Sequence, residues 1–271
     1  MPIWTWFGLK AGKATTAWPR ADGDDGQAGV LGMPRYDPAR CQSGCRECVD
    51  VCPSGALSLA QVPAPTPAGV PIGIDYGRCV VCQLCTEVCP EGALTPSGDW
   101  AFGVRRREDL VWRQAVESPS GKKLQKHLSA LRRSLHIRHL DAGSCNGCES
   151  ELQALNNPFY NLHRLGIFFT ASPRFADLLL VTGPVTAAMR DPLLNTFQAM
   201  PEPRLVMACG TCAVSGGVSG CGYCTGEGID ELVPVDLYLP GCPPNPAAVI
   251  EGLLVLLARL PQAVQGGRSE S

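Results

Sequence analysis

Residues 45–58 read CRECVDVCPSGALS and residues 82–95 read CQLCTEVCPEGALT. The two stretches align at a constant offset of 37 residues, pairing Cys45 with Cys82, Cys48 with Cys85, Cys52 with Cys89, Pro53 with Pro90 and Leu57 with Leu94. With Cys79 in front, the second copy is spaced C-x2-C-x2-C-x3-C-P. In such a run three thiolates hold one [4Fe-4S] cube and the fourth cysteine reaches across to the other cube. Two runs therefore interlock. The first cluster is expected to take Cys41, Cys45, Cys48 and Cys89, and the second Cys79, Cys82, Cys85 and Cys52. Pro53 and Pro90 turn the chain away after each crossing cysteine, and Gly55 and Gly92 allow tight packing. The first run opens C-x3-C between Cys41 and Cys45, one residue longer than the pattern. Paired zinc sites also use C-x2-C and stand as the structural alternative, but they do not call for eight cysteines with exchanged fourth ligands.

Outward from this repeat, the chain has 271 residues, 45% hydrophobic and 18% charged, with a formal charge of -2. That is the balance of a soluble globular protein. Its 15 cysteines are the unusual feature, since an intracellular-looking chain has no general structural need for so many thiols. An odd number in tight clusters argues against a secreted disulfide framework. No apolar run approaches the roughly 18 to 20 residues that cross a bilayer, and the first 30 residues lack a signal-peptide core. A cytoplasmic location is the expectation.

Four segments follow. Residues 1–35 start aromatic and become rich in Gly, Asp and Pro without periodicity, as expected of an extended arm. Trp4, Trp6, Phe7 and Trp18 lie either on this protein's own surface or against a partner subunit. Residues 36–96 hold the repeat and resemble the two-cluster ferredoxins. Residues 97–135 form a basic linker containing Arg105, Arg106, Arg107, Lys122, Lys123, Lys126, Arg132 and Arg133. Leu124, Leu128, Leu131 and Leu135 recur at helical spacing, so 122–135 reads as an amphipathic helix. It is either a solvated connector or a contact with an acidic subunit or anionic headgroups.

In residues 136–271 the apolar runs HIRHL, LGIFF, ADLLLVTG, RLVMACG and LVPVDLYLPG alternate with helical stretches, before a final apolar helix near Ala247 to Leu260. This is the pattern of a parallel α/β sheet, whose ligands sit beyond the carboxyl ends of the strands. Cys145, Cys148, Cys212 and Cys242 fall in three such loops and can close one further set of iron ligands. Gly143, Gly210, Gly216, Gly217 and Gly241 permit close backbone approach. Pro243 and Pro244 remove N-H donors from one edge.

DAGSCNGCESEL (141–152), SPRFADLLLVTGPVT (172–186), MPEPRLVMACGTCAVSGG (200–217) and VPVDLYLPGCPPNPAAVIEGLL (233–254) resemble the small subunit of energy-converting, membrane-bound [NiFe] hydrogenases and of formate hydrogenlyase. That subunit is similar to the complex I subunit holding the terminal cluster. The resemblance spans about Ser134 to Leu260, and the N-terminal part is similar to the ferredoxin-like subunit of the same complexes. The chain thus resembles a fusion of two neighbours. The resemblance implies a flavodoxin-like domain that presents a proximal [4Fe-4S] cluster, held by Cys145, Cys148, Cys212 and Cys242, to a large catalytic subunit. It further implies three clusters relaying electrons, no complete active site on this chain, membrane antiporter-like subunits in the same complex, a soluble donor or acceptor, and a peripheral place on the cytoplasmic membrane.

Two rivals remain at this stage: a complex I-like, quinone-linked module without hydrogen chemistry, and a non-redox scaffold braced by metal. Cys209, Cys221 and Cys224 are left over, as unliganded thiols or as part of an altered or shared site. Glu149 and Glu151 suit a dipole role at a helix start or a proton route. His127, His136, His139 and His163 show no metal spacing. Gly216 to Gly220 fits neither a dinucleotide fingerprint nor a P-loop, and the basic linker lacks the interleaved aromatics of a nucleic-acid module.

Overall fold

The computed structural model describes residues 2–20, 23–42, 44–59, 72–112, 131 and 133–260. The chain runs α1 (Ile3–Ala11), β1 (Arg35–Tyr36), α2 (Glu47–Val51), β2 (Leu57–Leu59), β3 (Ile72–Asp75), α3 (Leu84–Glu87), β4 (Leu94–Thr95) and β5 (Val111–Trp112). It continues with β6 (Leu135–Asp141), α4 (Gly147–Ala154), β7 (Ile167–Phe169), β8 (Leu178–Thr182), α5 (Arg190–Ala199), β9 (Leu205–Cys209), α6 (Thr211–Ser215), β10 (Leu237–Leu239) and α7 (Pro246–Leu256).

The sequence repeat becomes a structural one. Each run folds as a short helix, α2 or α3, followed by a strand, β2 or β4, with the same offset. Gly44 and Val81, equivalent across the repeat, both have positive φ, as do Gly55 and Gly92. A left-handed residue just before the second cysteine of each run is thus a requirement of the loop. A glycine supplies it without strain at 44, whereas at 81 a β-branched residue bears the cost. β2, β3 and β5 form one antiparallel sheet, and β1 pairs antiparallel with β4.

The second half is mixed α/β, with a five-stranded parallel sheet in the order β10-β9-β8-β6-β7. Numbered along this part of the chain the order is 2-1-3-4-5, the doubly wound flavodoxin-like arrangement, whose order reverses between β6 and β8. β8 and β9 are buried at every residue, because both faces of the sheet are covered, so they read as unbroken apolar runs rather than alternating ones. α7 is buried along its whole length. It starts where Asn245 accepts a hydrogen bond from the Ala248 amide (2.7 Å) with Pro246 at the first helical position, two signals legible in the sequence.

Three expectations change. Residues 3–11 are helical and not extended; α1 buries no residue, and a helix without a buried face has no apolar periodicity to read. Trp4 and Trp6 on it are exposed, whereas Trp18 packs edge-on against Trp100 with ring centroids 6.0 Å apart. Residues after α1 lie along 158–164: Thr15 Oγ1 donates to the Pro158 carbonyl (2.8 Å) and the Thr16 amide to that of Phe159 (2.9 Å). Leu135, assigned to the amphipathic helix, is instead the fully buried first residue of β6; most of that helix, 122–130 and 132, lies outside the described residues. Finally, Arg105 and Arg107 are fasteners of the fold. Arg105 Nη2 donates to the Val255 carbonyl (2.8 Å), and Arg107 grips Asp75 with two bonds of 2.8 and 2.6 Å.

Candidate metal centres

Cys41, Cys45, Cys48 and Cys89 line one cavity together with Pro90, Ile72 and Leu94. Three come from the first run and one from the second. Burial pushes the Cys48 thiol up to about 12, and the charges of Cys45, Cys41 and Cys89 add to it. The Cys89 sulfur accepts from the amides of Ala93 (3.2 Å) and Leu94 (3.4 Å).

The second group has the reciprocal composition. Burial raises the Cys85 thiol to about 12, and Cys79, Cys52 and Cys82 raise it further by charge. Cys79 reaches about 11 through burial, against the Val81 amide that donates to its sulfur (3.4 Å), with Cys52, Cys82 and Cys242 adding. Pooled, closely spaced thiols of this kind strongly disfavour adjacent thiolates unless a cation neutralises them.

Cys145, Cys148, Cys212 and Cys242 are gathered at the carboxyl edge of the parallel sheet, after β6, β9 and β10. Burial lifts the Cys148 thiol far above its ordinary value, and Cys209, Glu149, Cys212 and Cys242 act on it by charge. Cys212 is raised by burial and then by Cys242 and Cys145. Glycines make the space: a Cβ on Gly210 would stand 2.6 Å from the Cys148 sulfur, and one on Gly217 would stand 2.8 Å from that of Cys212. Gly210 also has φ +91. Gly210→Ala is therefore expected to cost about 1–3 kcal/mol through backbone strain and to displace Cys148. Thermal unfolding together with loss of iron from this centre checks it.

The loop into Cys145 is built by Asp141, which accepts from the amides of Gly143 (2.8 Å) and Ser144 (2.7 Å). Burial opposes its charge, yet these donors hold its carboxyl below the usual range. Glu149 does not cap α4. It accepts from Ser144 Oγ (2.7 Å) and from Thr182 Oγ1, whose hydroxyl also meets His139 Nε2 (3.0 Å). Burial lowers the His139 pKa and favours the neutral ring. Glu149 stands in the first turn of α4, as the helix-dipole reading has it, and in addition braces β6, β8 and the cysteine loop through its side chain. Glu151 is raised by burial.

Of the three remaining cysteines, Cys209 ends β9 with no exposure, and Cys221 and Cys224 are exposed on the loop after α6. Among the described residues no three Cys, His, Asp or Glu side chains converge closely enough to share one ion. Sequence reasoning passed over Thr211 and Ser215, both buried in α6, because a lone hydroxyl in a Gly-rich turn carries no pattern.

These features define an iron-sulfur protein of the doubly wound α/β type with a two-cluster ferredoxin segment ahead of it. Residues 145–256 match the family described as NADH ubiquinone oxidoreductase, 20 kDa subunit, and residues 40–93 match the 4Fe-4S dicluster domain. The chain is 38% identical to the probable membrane-bound hydrogenase subunit mbhJ of Pyrococcus furiosus, over 54% of this chain and 89% of that protein. It is 44% identical to protein MJ0516 of Methanocaldococcus jannaschii, over 45% of this chain and 82% of that protein. Formate hydrogenlyase subunit 7 of Escherichia coli is 44% identical over 51% of this chain. The match spans 54% of that subunit, about half its length. The chain belongs to the NADH ubiquinone oxidoreductase 20 kDa subunit family.

Proposed function

We propose that this chain is the electron-relay subunit of a multi-subunit oxidoreductase complex and that it holds three [4Fe-4S] clusters. Cys41, Cys45, Cys48 and Cys89 hold the first; Cys79, Cys82, Cys85 and Cys52 the second; and Cys145, Cys148, Cys212 and Cys242 the third. Residues 36–96 form the two-cluster domain and 136–271 the domain of the third cluster, with the arm 1–35 and the linker 97–135 completing the chain. The observation that carries the reading is the bond from Thr211 Oγ1 to the Cys79 carbonyl (2.9 Å), with the Gly241 amide donating to the same hydroxyl (3.0 Å), which sets the neighbours of Cys212 and Cys242 against a second-set cysteine. The second and third cysteine sets thereby adjoin.

When bound, the clusters supply one-electron storage with the charge spread over several irons. The protein's own residues do the remainder. Thiolates hold the iron, amides such as those of Val81, Ala93 and Leu94 donate to ligand sulfurs, and the apolar walls keep water out; these features tune reduction potentials. Exposure of Cys145 and Cys242 supports a third site at the surface, where electrons pass to or from a large catalytic hydrogenase-like subunit.

No helix of the described residues is long and apolar enough to cross a membrane. Attachment to the cytoplasmic membrane would then run through partner subunits, including antiporter-like membrane subunits, with a soluble donor or acceptor at the other end. The names of the hydrogenase and formate hydrogenlyase relatives support the hydrogen-linked branch. The family's description supports a quinone-linked, complex I-like alternative.

The test is the iron, sulfide, nickel and zinc content of the anaerobically purified complex, with EPR during stepwise reduction. About 12 Fe per copy of this chain is expected for three cubes, once iron of the partners is subtracted. Co-purifying nickel selects the hydrogenase branch over the quinone-linked one. Zinc without reducible clusters overturns the relay.

A further inference from the structure

We infer that Thr211 and Ser215 are positioning residues that set the separation between the second and third cysteine sets; the inference rests on the relay reading above. Thr211 opens α6 one residue before Cys212, and its side chain makes two bonds. Its Oγ1 donates to the carbonyl of Cys79 (2.9 Å) and accepts from the amide of Gly241 (3.0 Å). One hydroxyl therefore ties together the main chain at a second-set cysteine, the helix bearing one third-set cysteine and the loop bearing another, Cys242.

Ser215 lies one turn further along the same face. Its Oγ donates to the carbonyl of Gly77 at 2.8 Å, with the Thr211 carbonyl also near at 3.1 Å. The two hydroxyls meet alternate carbonyls of the strip 77–79. Both residues are almost wholly buried, 1% and 3% exposed, so water does not replace either bond and their loss leaves buried polar groups unsatisfied.

The strip they hold is stiff on its other side. The Gly77 amide donates to Asp75 Oδ1 (2.9 Å), and the same carboxylate is gripped by Arg107. A Cβ at Gly77 would stand 2.5 Å from the Arg107 guanidinium carbon, so the turn and the arginine are in close contact. Arg107–Asp75–Gly77 and Thr211–Cys79–Gly241 form one rigid joint. Because the contacts are to main-chain carbonyls, they position the cysteines without touching the sulfurs. Electron transfer falls steeply with separation, so a joint that fixes this gap sets the rate across it.

The experiment compares wild type, Thr211→Val, Thr211→Ser and Ser215→Ala in the anaerobic complex. Thr211→Val preserves shape and removes both bonds. Its Gly241 amide is expected to exchange hydrogen about tenfold faster, a readout independent of any cluster. With iron retained, the EPR spin–spin broadening between the second and third clusters should weaken in Thr211→Val and return in Thr211→Ser, since serine restores the hydroxyl. Unchanged broadening in an iron-replete Thr211→Val protein overturns the inference. If Thr211→Val fails to load iron, Ser215→Ala carries the same comparison with the same deciding outcome. Failure of the relay reading is seen separately, as wild-type protein without three reducible clusters.

Discussion

Replacing Cys242 with alanine is expected to lower the iron of this chain from about 12 to about 8 atoms and to stop electron delivery to the partner, while the first two clusters persist. Cys242 is the one cysteine of the loop after β10. Cys209, which acts on Cys148 by charge, is not a ready substitute. It is locked into β9 with no exposure, and burial pushes its thiol up to about 12. In the proposed assignment the first two centres take no cysteine ligand from this loop. Iron analysis and EPR of the variant decide it: full iron with undiminished turnover would remove Cys242 from the ligand set.

The crossing of the two ferredoxin-like runs makes a second sharp prediction. Cys89 belongs to the second run by sequence but lines the cavity of Cys41, Cys45 and Cys48. Cys52 belongs to the first run but acts on Cys79 and Cys85. Cys89→Ala should therefore abolish the same EPR signal as Cys48→Ala and spare the one lost in Cys85→Ala. Each variant should retain about 8 Fe. If Cys89→Ala instead reproduces Cys85→Ala, each run holds its own cluster and the exchange of ligands is wrong. The expected effect is all-or-none, because a cube deprived of a thiolate in a tight, apolar cavity has no neighbouring donor of the same kind to take its place.

Much of this protein is legible in one dimension because iron ligation demands particular residues at particular spacings. The cysteine runs, their repeat and the left-handed glycines at 55 and 92 are local requirements, and local requirements leave local patterns. The parallel sheet was also readable, since strands covered on both faces, such as β8 and β9, must be apolar throughout.

Other features depend on what comes near in space. The helical form of residues 3–11 has no periodic signature, because α1 packs none of its faces. Leu135 fits a leucine repeat in the sequence, yet in the fold it pairs opposite Ile167 across two parallel strands. Arg105 and Arg107 read as part of a basic linker until Val255 and Asp75, remote along the chain, supply their acceptors. Glu149 gains a bracing role in the same way, once Thr182 is brought to it.

The sequence by itself determined the number and spacing of the cysteines proposed to hold iron, since helix–loop spacing is encoded within a few residues of each cysteine. Only the tertiary structure decided how the cysteine sets adjoin. Thr211 and Cys79 are 132 positions apart, and a hydrogen bond between a hydroxyl and a distant main-chain carbonyl places no constraint on any neighbouring residue that a reader of the sequence could detect.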